Sequence, residues 1–217
     1  MDFPRKLEEI FAHFPGIGPR QARRFVYYLM NKSPTFIKEF TQLVEEVKKS
    51  TNECEMCHGF FTNTFGSLHS SSHTKAKTPI CGICSDQNRD QSALMIVARD
   101  SDFESVEKSG AYKGLYFILG GSVPVLDKEP EKRIRLKPLL QRISSRISNG
   151  SNLKEIILSL NTTPDGEHTA TIIKDAILNI ISGKQIKITV LGRGLSTGAE
   201  LEYADGDTIR YAFKNRA

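Results

Sequence analysis

The chain has 217 residues, a formal net charge of +5, and 39% hydrophobic against 25% charged residues. That is the balance of a globular protein, which argues against a chain disordered throughout. No apolar run reaches the roughly 18 residues of a membrane span, and Met1-Asp2-Phe3-Pro4-Arg5-Lys6 is not a secretory leader, so a cytoplasmic chain without membrane contact is expected; its basic balance permits a polyanionic partner without demanding one.

Residues 5–13 and 20–31 carry apolar side chains at helical spacing: Leu7, Ile10 and Phe11, then Ala22, Phe25, Val26 and Leu29. Between them stands Phe14-Pro15-Gly16-Ile17-Gly18-Pro19, followed by Arg20, Arg23 and Arg24. Two glycines flanking an isoleucine permit a tight turn whose backbone can approach a ligand closely. Pro19 suits the first position of a new helix, where its missing N–H costs nothing. The amides of such a turn and helix start are unpaired donors, and the helix dipole favours an anion beside them. The stretch looks like a helix-hairpin-helix, which holds nucleic-acid backbone without reading bases. Its DNA-contacting set would be Gly16, Ile17, Gly18, Arg20, Arg23 and Arg24. The bland alternative is an ordinary turn between packed helices. A third helix is predicted from about Pro34 to Lys49, with Phe36, Ile37, Phe40, Leu43, Val44 and Val47 facing inward. Helices this short need packing to be stable.

The four cysteines fall as two pairs, Cys54-Glu55-Met56-Cys57 and Cys81-Gly82-Ile83-Cys84, with 23 residues between. In a reducing compartment that pattern suggests metal before disulfide. Four thiolates from two knuckles enclose one structural Zn2+ per chain and leave no position for substrate. The spacing exceeds the usual range of about 15–20, and the polar stretch from Gly66 to Lys77 can absorb the excess as a loop. A redox pair, or a mixed site using His58, His69 or His73, is the alternative reading.

From Leu94 the pattern changes. Leu94–Val97, Gly114–Leu119, Glu155–Leu160 and Ile186–Val190 read as strands. Helices are expected from the capping-box spacing Ser101-Asp102-Phe103-Glu104 to about Ser109, near Lys137–Ser148, and over Gly166–Ile181. Inward positions of the second would be Leu139, Leu140, Ile143 and Ile147. Alternating strands and helices give a mainly parallel sheet covered on both faces. A site should then lie beyond the strand C-termini, among Ala98–Asp102, Gly120–Gly121 and Asn161–Glu167. The final segment, from Gly192-Arg193-Gly194 to Tyr203-Ala204-Asp205, is glycine-rich and then acidic. It lacks the endings of phosphate-binding loops and reads as a structural arm with a last helix over Asp207–Arg216.

Taken in order, these segments resemble the RecR family of bacterial recombination mediators over nearly the whole chain. The residues that carry the resemblance are Phe14–Arg24; Cys81-Gly82-Ile83-Cys84 with Arg89; Tyr112-Lys113-Gly114-Leu115-Tyr116 through Gly120-Gly121; and Gly192-Arg193-Gly194-Leu195 through Asp205. The resemblance implies an α/β multidomain chain. Its parts are a helix-hairpin-helix module over 1–51, a small zinc ribbon over 52–90, a Rossmann-like parallel Toprim domain over 91–191, and a C-terminal arm over 192–217. It implies dimers and tetrameric rings able to surround single- or double-stranded DNA without sequence preference. It also implies partnership with RecO- and RecF-type proteins in loading recombinase at single-stranded gaps, with nucleoid-associated localisation. Arg20 and Arg24 match the family's DNA-contacting positions, and acidic residues on the Toprim face would meet partners.

Two departures bear on chemistry. Catalytic Toprim domains carry a glutamate after the first strand, where this chain has Ala98; RecR relatives usually keep it. They also carry an Asp-x-Asp pair after the third, where Asn161-Thr162-Thr163 stands here. Metal-assisted strand transfer needs such carboxylates. Asp100, Asp102, Asp165 and Glu167 could form a partner surface or a weak Mg2+ site, but service to the helix N-terminus is the better reading of the first two. The cysteine linker is also longer than is typical of the family. The leading reading is therefore a non-catalytic DNA clamp. A Mg2+-dependent Toprim enzyme (nuclease, primase or topoisomerase fragment) and a pure interaction scaffold are the alternatives.

Overall fold

In a computed structural model, residues 2–62, 79–127, 129–195, 197–198 and 200–216 are described. The chain forms two compact units, Met1–Thr51 and Asn52–Ala217.

The first unit holds α1 (Phe3–Ala12), α2 (Pro19–Met30) and α3 (Pro34–Ser50). Each begins on a cap and a proline: Asp2 accepts from the Arg5 N–H and Ser33 from the Phe36 N–H, while Gly18 caps α2 with no side chain. Helices α1 and α2 form the hairpin, with Phe11 edge-on to both Phe14 and Phe25 at 5.6 Å and with Ala22 and Val26 buried. Helix α3 meets α2 through Tyr28 and Phe36, 6.3 Å apart. Its expected inward stripe is not inward in a single chain. Phe40, Leu43, Val44 and Val47 are exposed, the last two by 54% and 63%, and Phe36 and Ile37 are half-buried. Helical periodicity shows that a face is apolar; it does not supply the surface that covers it.

The second unit is built on a four-stranded sheet in the order β4-β3-β5-β6, formed by β3 (Asp90–Val97), β4 (Gly114–Ile118), β5 (Glu155–Ser159) and β6 (Lys187–Val190). All three pairings are parallel, as the strand–helix alternation predicts. Strand β3 begins four residues before the apolar run, across an irregularity between Asp90 and Leu94. Side chains alternate across it. Leu94 and Ile96 pack with Leu139, Ile143, Ile173 and Ile177 of α6 (Leu136–Ser148) and α7 (Pro164–Ile181). Met95 and Val97 pack with Phe103 and Val106 of α5 (Asp100–Ser109). Cover on both faces is why β3 is apolar without alternation.

Helix α5 starts at Asp100, earlier than its Ser101 signal suggests, because Arg99 is the cap and the Asp102 carboxylate accepts from the Arg99 N–H at 3.0 Å. Helix α7 likewise starts at Pro164, since Thr163 caps it through the Gly166 N–H at 3.2 Å. Two short strands, β1 (Thr51–Glu53) and β2 (Phe60–Thr62), pair with each other, and a single turn, α4 (Gly82–Ser85), holds Cys84 with Cys81 as its cap. After β6, a 3-10 turn (Leu201–Tyr203) precedes α8 (Gly206–Lys214). The arm returns to its own start: Arg193 lies over the Tyr211 ring at 4.9 Å, and the Asn215 amide donates to the Arg193 carbonyl.

Candidate nucleic-acid interface and metal centre

At the α1–α2 turn, Gly16 has φ of +75°, which a side chain would strain, and a Cβ there would meet nothing within 4 Å. The Ile17 N–H returns to the Phe14 carbonyl at 3.0 Å, and the Gln21 and Ala22 N–H groups both reach the Gly18 carbonyl. Among the described residues, no acceptor stands opposite the N–H groups of Gly18 and Arg20. Gly16, Gly18 and Arg20 are exposed and Ile17 is half-buried, so the turn presents its backbone to solvent. The three arginines differ. Arg23 Nε is 3.3 Å from the Glu8 carboxylate of α1, and Arg24 donates to the Gln21 side chain at 3.3 Å. Arg20 has no acidic partner among the described residues. The turn and its cations thus share one exposed edge, with Arg23 partly neutralised by Glu8.

The cysteines converge. The Sγ atoms of Cys54, Cys57, Cys81 and Cys84 all lie within 4.8 Å of one another and could hold a metal ion. Cys57 and Cys81 are 3.6 Å apart, far beyond a disulfide bond of about 2.05 Å. The Gly59 N–H donates to Cys57 Sγ and the Cys81 N–H to Cys54 Sγ, both at 3.4 Å, so peptide dipoles favour sulfur as thiolate. The four thiols share hydrogen bonds, which lower the pKa of the Cys54 thiol and, through Cys54, raise those of Cys57 and Cys84. His58 does not join them. Its Nδ1 is 2.7 Å from the Glu53 carboxylate and its ring packs edge-on to Phe117. His69 and His73 lie outside the described residues, as do Gly66, Lys75 and Lys77 of the expected loop 58–80.

The cysteine module is joined to the α/β sheet at several points. The Ile118 N–H donates to the Cys57 carbonyl at 2.8 Å, and the Phe60 N–H to Asp100 Oδ1 at 3.2 Å. Arg142 of α6 reaches the carbonyls of Met56 and Tyr116 (2.7 Å to the latter) and lies 3.9 Å from Cys84 Sγ. Arg146, one turn on, donates to the Gln91 carbonyl. Both arginines are buried, at 9% exposure. Burial and the neighbouring Arg142 charge work against the Arg146 charge, while Tyr112 and Cys84 favour it. Sequence reasoning passed over this pair, although each stands three residues beyond a core position, Leu139 or Ile143, and so on the inward side of α6.

The four acidic candidates are not brought together. Asp100 holds Phe60, Asp102 closes the α5 cap, Asp165 accepts from the Val125 N–H at 3.1 Å, and Glu167 pairs with Arg193 at 2.8 Å. Among the described residues, the cysteines are the one group of three or more such side chains whose donor atoms converge. The crevice at the C-terminal ends of β5 and β6 is still present, a cleft of about 390 Å³ lined by Asp102, Asn161, Thr162 and Arg193 among others. Its walls carry an amide (Asn161), a guanidinium (Arg193) and the hydroxyl residues Ser105, Ser159 and Thr162 beside one carboxylate, Asp102. No described helix is long and apolar enough to cross a membrane.

Comparison with known proteins agrees with this architecture. Residues 92–192 match the family model of the Toprim domain, and residues 194–217 match that of RecR, C-terminal. The fold and site therefore define a Toprim-domain protein with a helical N-terminal hairpin and a four-cysteine centre. Recombination protein RecR of Lactobacillus helveticus is 31% identical over 210 residues, covering 97% of this chain and 94% of the relative. Those of Chloroflexus aurantiacus and Cereibacter sphaeroides are 33% and 32% identical over 211 residues, covering 97% of this chain and 92% and 94% of theirs. The chain belongs to the RecR family.

Proposed function

We propose that this chain is a non-catalytic DNA clamp that acts in recombinational repair, helping to load recombinase at single-stranded gaps with RecO- and RecF-type partners in the cytoplasm. The observation that carries the reading is the exposed Gly16–Gly18 turn, whose unpaired N–H groups stand beside Arg20 and Arg24. Such a surface suits sugar-phosphate backbone in single or double strands and gives sequence-independent, salt-sensitive binding. Ile17 braces the turn, and Arg23 is the lesser contributor because Glu8 holds it.

One hairpin makes few phosphate contacts, so useful affinity needs several copies acting together. The apolar face of α3, bare in one chain, supplies a surface for self-association into a dimer or a tetrameric ring. The metal is Zn2+ in a structural role: thiolates about 2.3 Å from a tetrahedral ion sit about 3.8 Å apart, close to the Cys57–Cys81 separation of 3.6 Å. Cys54, Cys57, Cys81 and Cys84 fill its coordination and leave no open position. Asp165 and Glu167, exposed in the first turn of α7, are acidic positions that a basic partner surface can meet, and Asp100 and Asp102 hold Phe60 and the start of α5. A catalytic Mg2+ role is disfavoured, because Ala98 and Asn161 cannot replace carboxylates and the four acids serve separate donors.

The test is a low-salt gel shift with the Arg20→Gln/Arg24→Gln double variant. The reading expects loss of the DNA complex with an unchanged circular dichroism spectrum; unchanged affinity would reject it.

A further inference from the structure

Two buried arginines are the least explained feature of the second unit. Arg142 and Arg146 sit one helical turn apart on α6, each only 9% exposed, and among the described residues neither meets a carboxylate. The Nε atom of each is buried without a partner. Two like charges withdrawn from water, with carbonyl oxygens as their acceptors, are costly unless an anion compensates them. The nearby acids are engaged elsewhere: Glu107 holds Arg89 and the Tyr116 hydroxyl, and Glu53 holds His58 and Arg135. What Arg142 does face is sulfur. Its Nη2 is 3.9 Å from Cys84 Sγ, while its Nη1 holds the Met56 carbonyl inside the first cysteine knuckle.

Four thiolates around a divalent ion carry a net charge of two minus. The two guanidinium groups carry two plus. We propose that Arg142 and Arg146 are the counter-charge of the metal–thiolate centre, so that metal binding and the docking of the cysteine module on the α/β sheet stabilise each other. The inference rests on the metal reading above. Arg142 acts directly, through Cys84 and the Met56 knuckle. Arg146 acts behind it, at the Gln91 carbonyl where β3 begins. Metal loss leaves two uncompensated cations between α6 and the sheet, and the module loosens from the domain it is fastened to.

The experiment uses the full chain. Metal content is measured first by elemental analysis; a protein without one zinc per chain would remove the metal reading itself. Zinc release to a coloured chelator is then compared for the parent, Arg142→Lys and Arg142→Gln. Partners of metal ligands cost about 10–100-fold in metal affinity when lost. Arg142→Lys, which keeps the charge, is expected to release zinc within about threefold of the parent rate, and Arg142→Gln about tenfold faster or more. Thermal unfolding of loaded and stripped protein gives a second readout: the stabilisation by zinc shrinks in Arg142→Gln and is kept in Arg142→Lys. A guanidinium that merely clamps carbonyls would lower both melting temperatures alike in the two variants. Equal release rates for Lys and Gln, fast or slow, overturn the proposal. Should Arg142→Gln not fold, Arg146→Lys and Arg146→Gln are compared in the same assay with the same criteria.

Discussion

Arg23 Nε lies 3.3 Å from the carboxylate of Glu8, so α1 neutralises one of the three cations at the head of α2. The pair is partly exposed and contributes little to stability; on the proposed reading it limits the positive charge that the hairpin would offer to phosphate. Glu8→Gln is expected to free Arg23, raise DNA affinity and steepen the dependence of log K on log salt by about 0.9 for each added phosphate contact on duplex. Arg23→Gln should change affinity far less than Arg20→Gln. Fluorescence anisotropy across a salt series measures both.

The apolar face of α3 is the second point of test. Leu43 and Val47 are 53% and 63% exposed in one chain, so placing charge there costs the single chain little. Leu43→Glu/Val47→Glu should keep its helix content yet shift the mass seen by light scattering towards a smaller species. DNA affinity should fall by about 10²-fold or more as multivalency is lost. A variant of parental mass would show that this face is not the contact between copies.

Gly166 stands in the first turn of α7, where a Cβ would lie 2.1 Å from the Asn161 carbonyl oxygen. The obstacle is backbone, which cannot swing aside as a side chain can. Gly166→Ala should therefore force α7 away from the β5 exit and cost about 1–3 kcal/mol. Urea unfolding is the check, with the four-cysteine centre retained.

Asp205 caps α8 by accepting from the Asp207 and Thr208 N–H groups and the Thr208 hydroxyl at 2.7–3.0 Å. The Thr208 hydroxyl and N–H hold its carboxyl below the usual carboxylate range. A depressed folded value means that the cap's contribution is complete above about pH 4, the unfolded value, and is lost as pH falls through the lower folded one. Helix α8 should be unaffected between pH 8 and 5 and fray in stronger acid, with the Thr208 amide resonance moving over that window. Asp205→Ala should fray it at neutral pH.

The sequence and the structure agree where the signal is local. The Gly16–Gly18 turn, the convergence of Cys54, Cys57, Cys81 and Cys84, and the parallel order around Leu94–Val97 each follow from spacing or an unbroken apolar run. Disagreement begins where a partner distant in sequence decides. The α3 stripe is apolar yet exposed in one chain, since periodicity marks an apolar face but not its cover. Service to the start of α5 is the better reading of Asp100 and Asp102 from sequence, and Asp102 performs it, whereas Asp100 accepts from the Phe60 N–H, 40 residues earlier. Arg142 and Arg146 are charged, and charged residues on a helix mostly face solvent, but their spacing from Leu139 and Ile143 places them inward.

The salt dependence of binding to a labelled duplex of arbitrary sequence, for the parent and for Arg20→Gln/Arg24→Gln, bears on the central claim most directly. The account predicts parental affinity that falls steeply and linearly in log–log form with added salt, the same for an unrelated sequence, and no measurable binding by the variant. Parental binding that is indifferent to salt, or a variant that binds as the parent does, would contradict it.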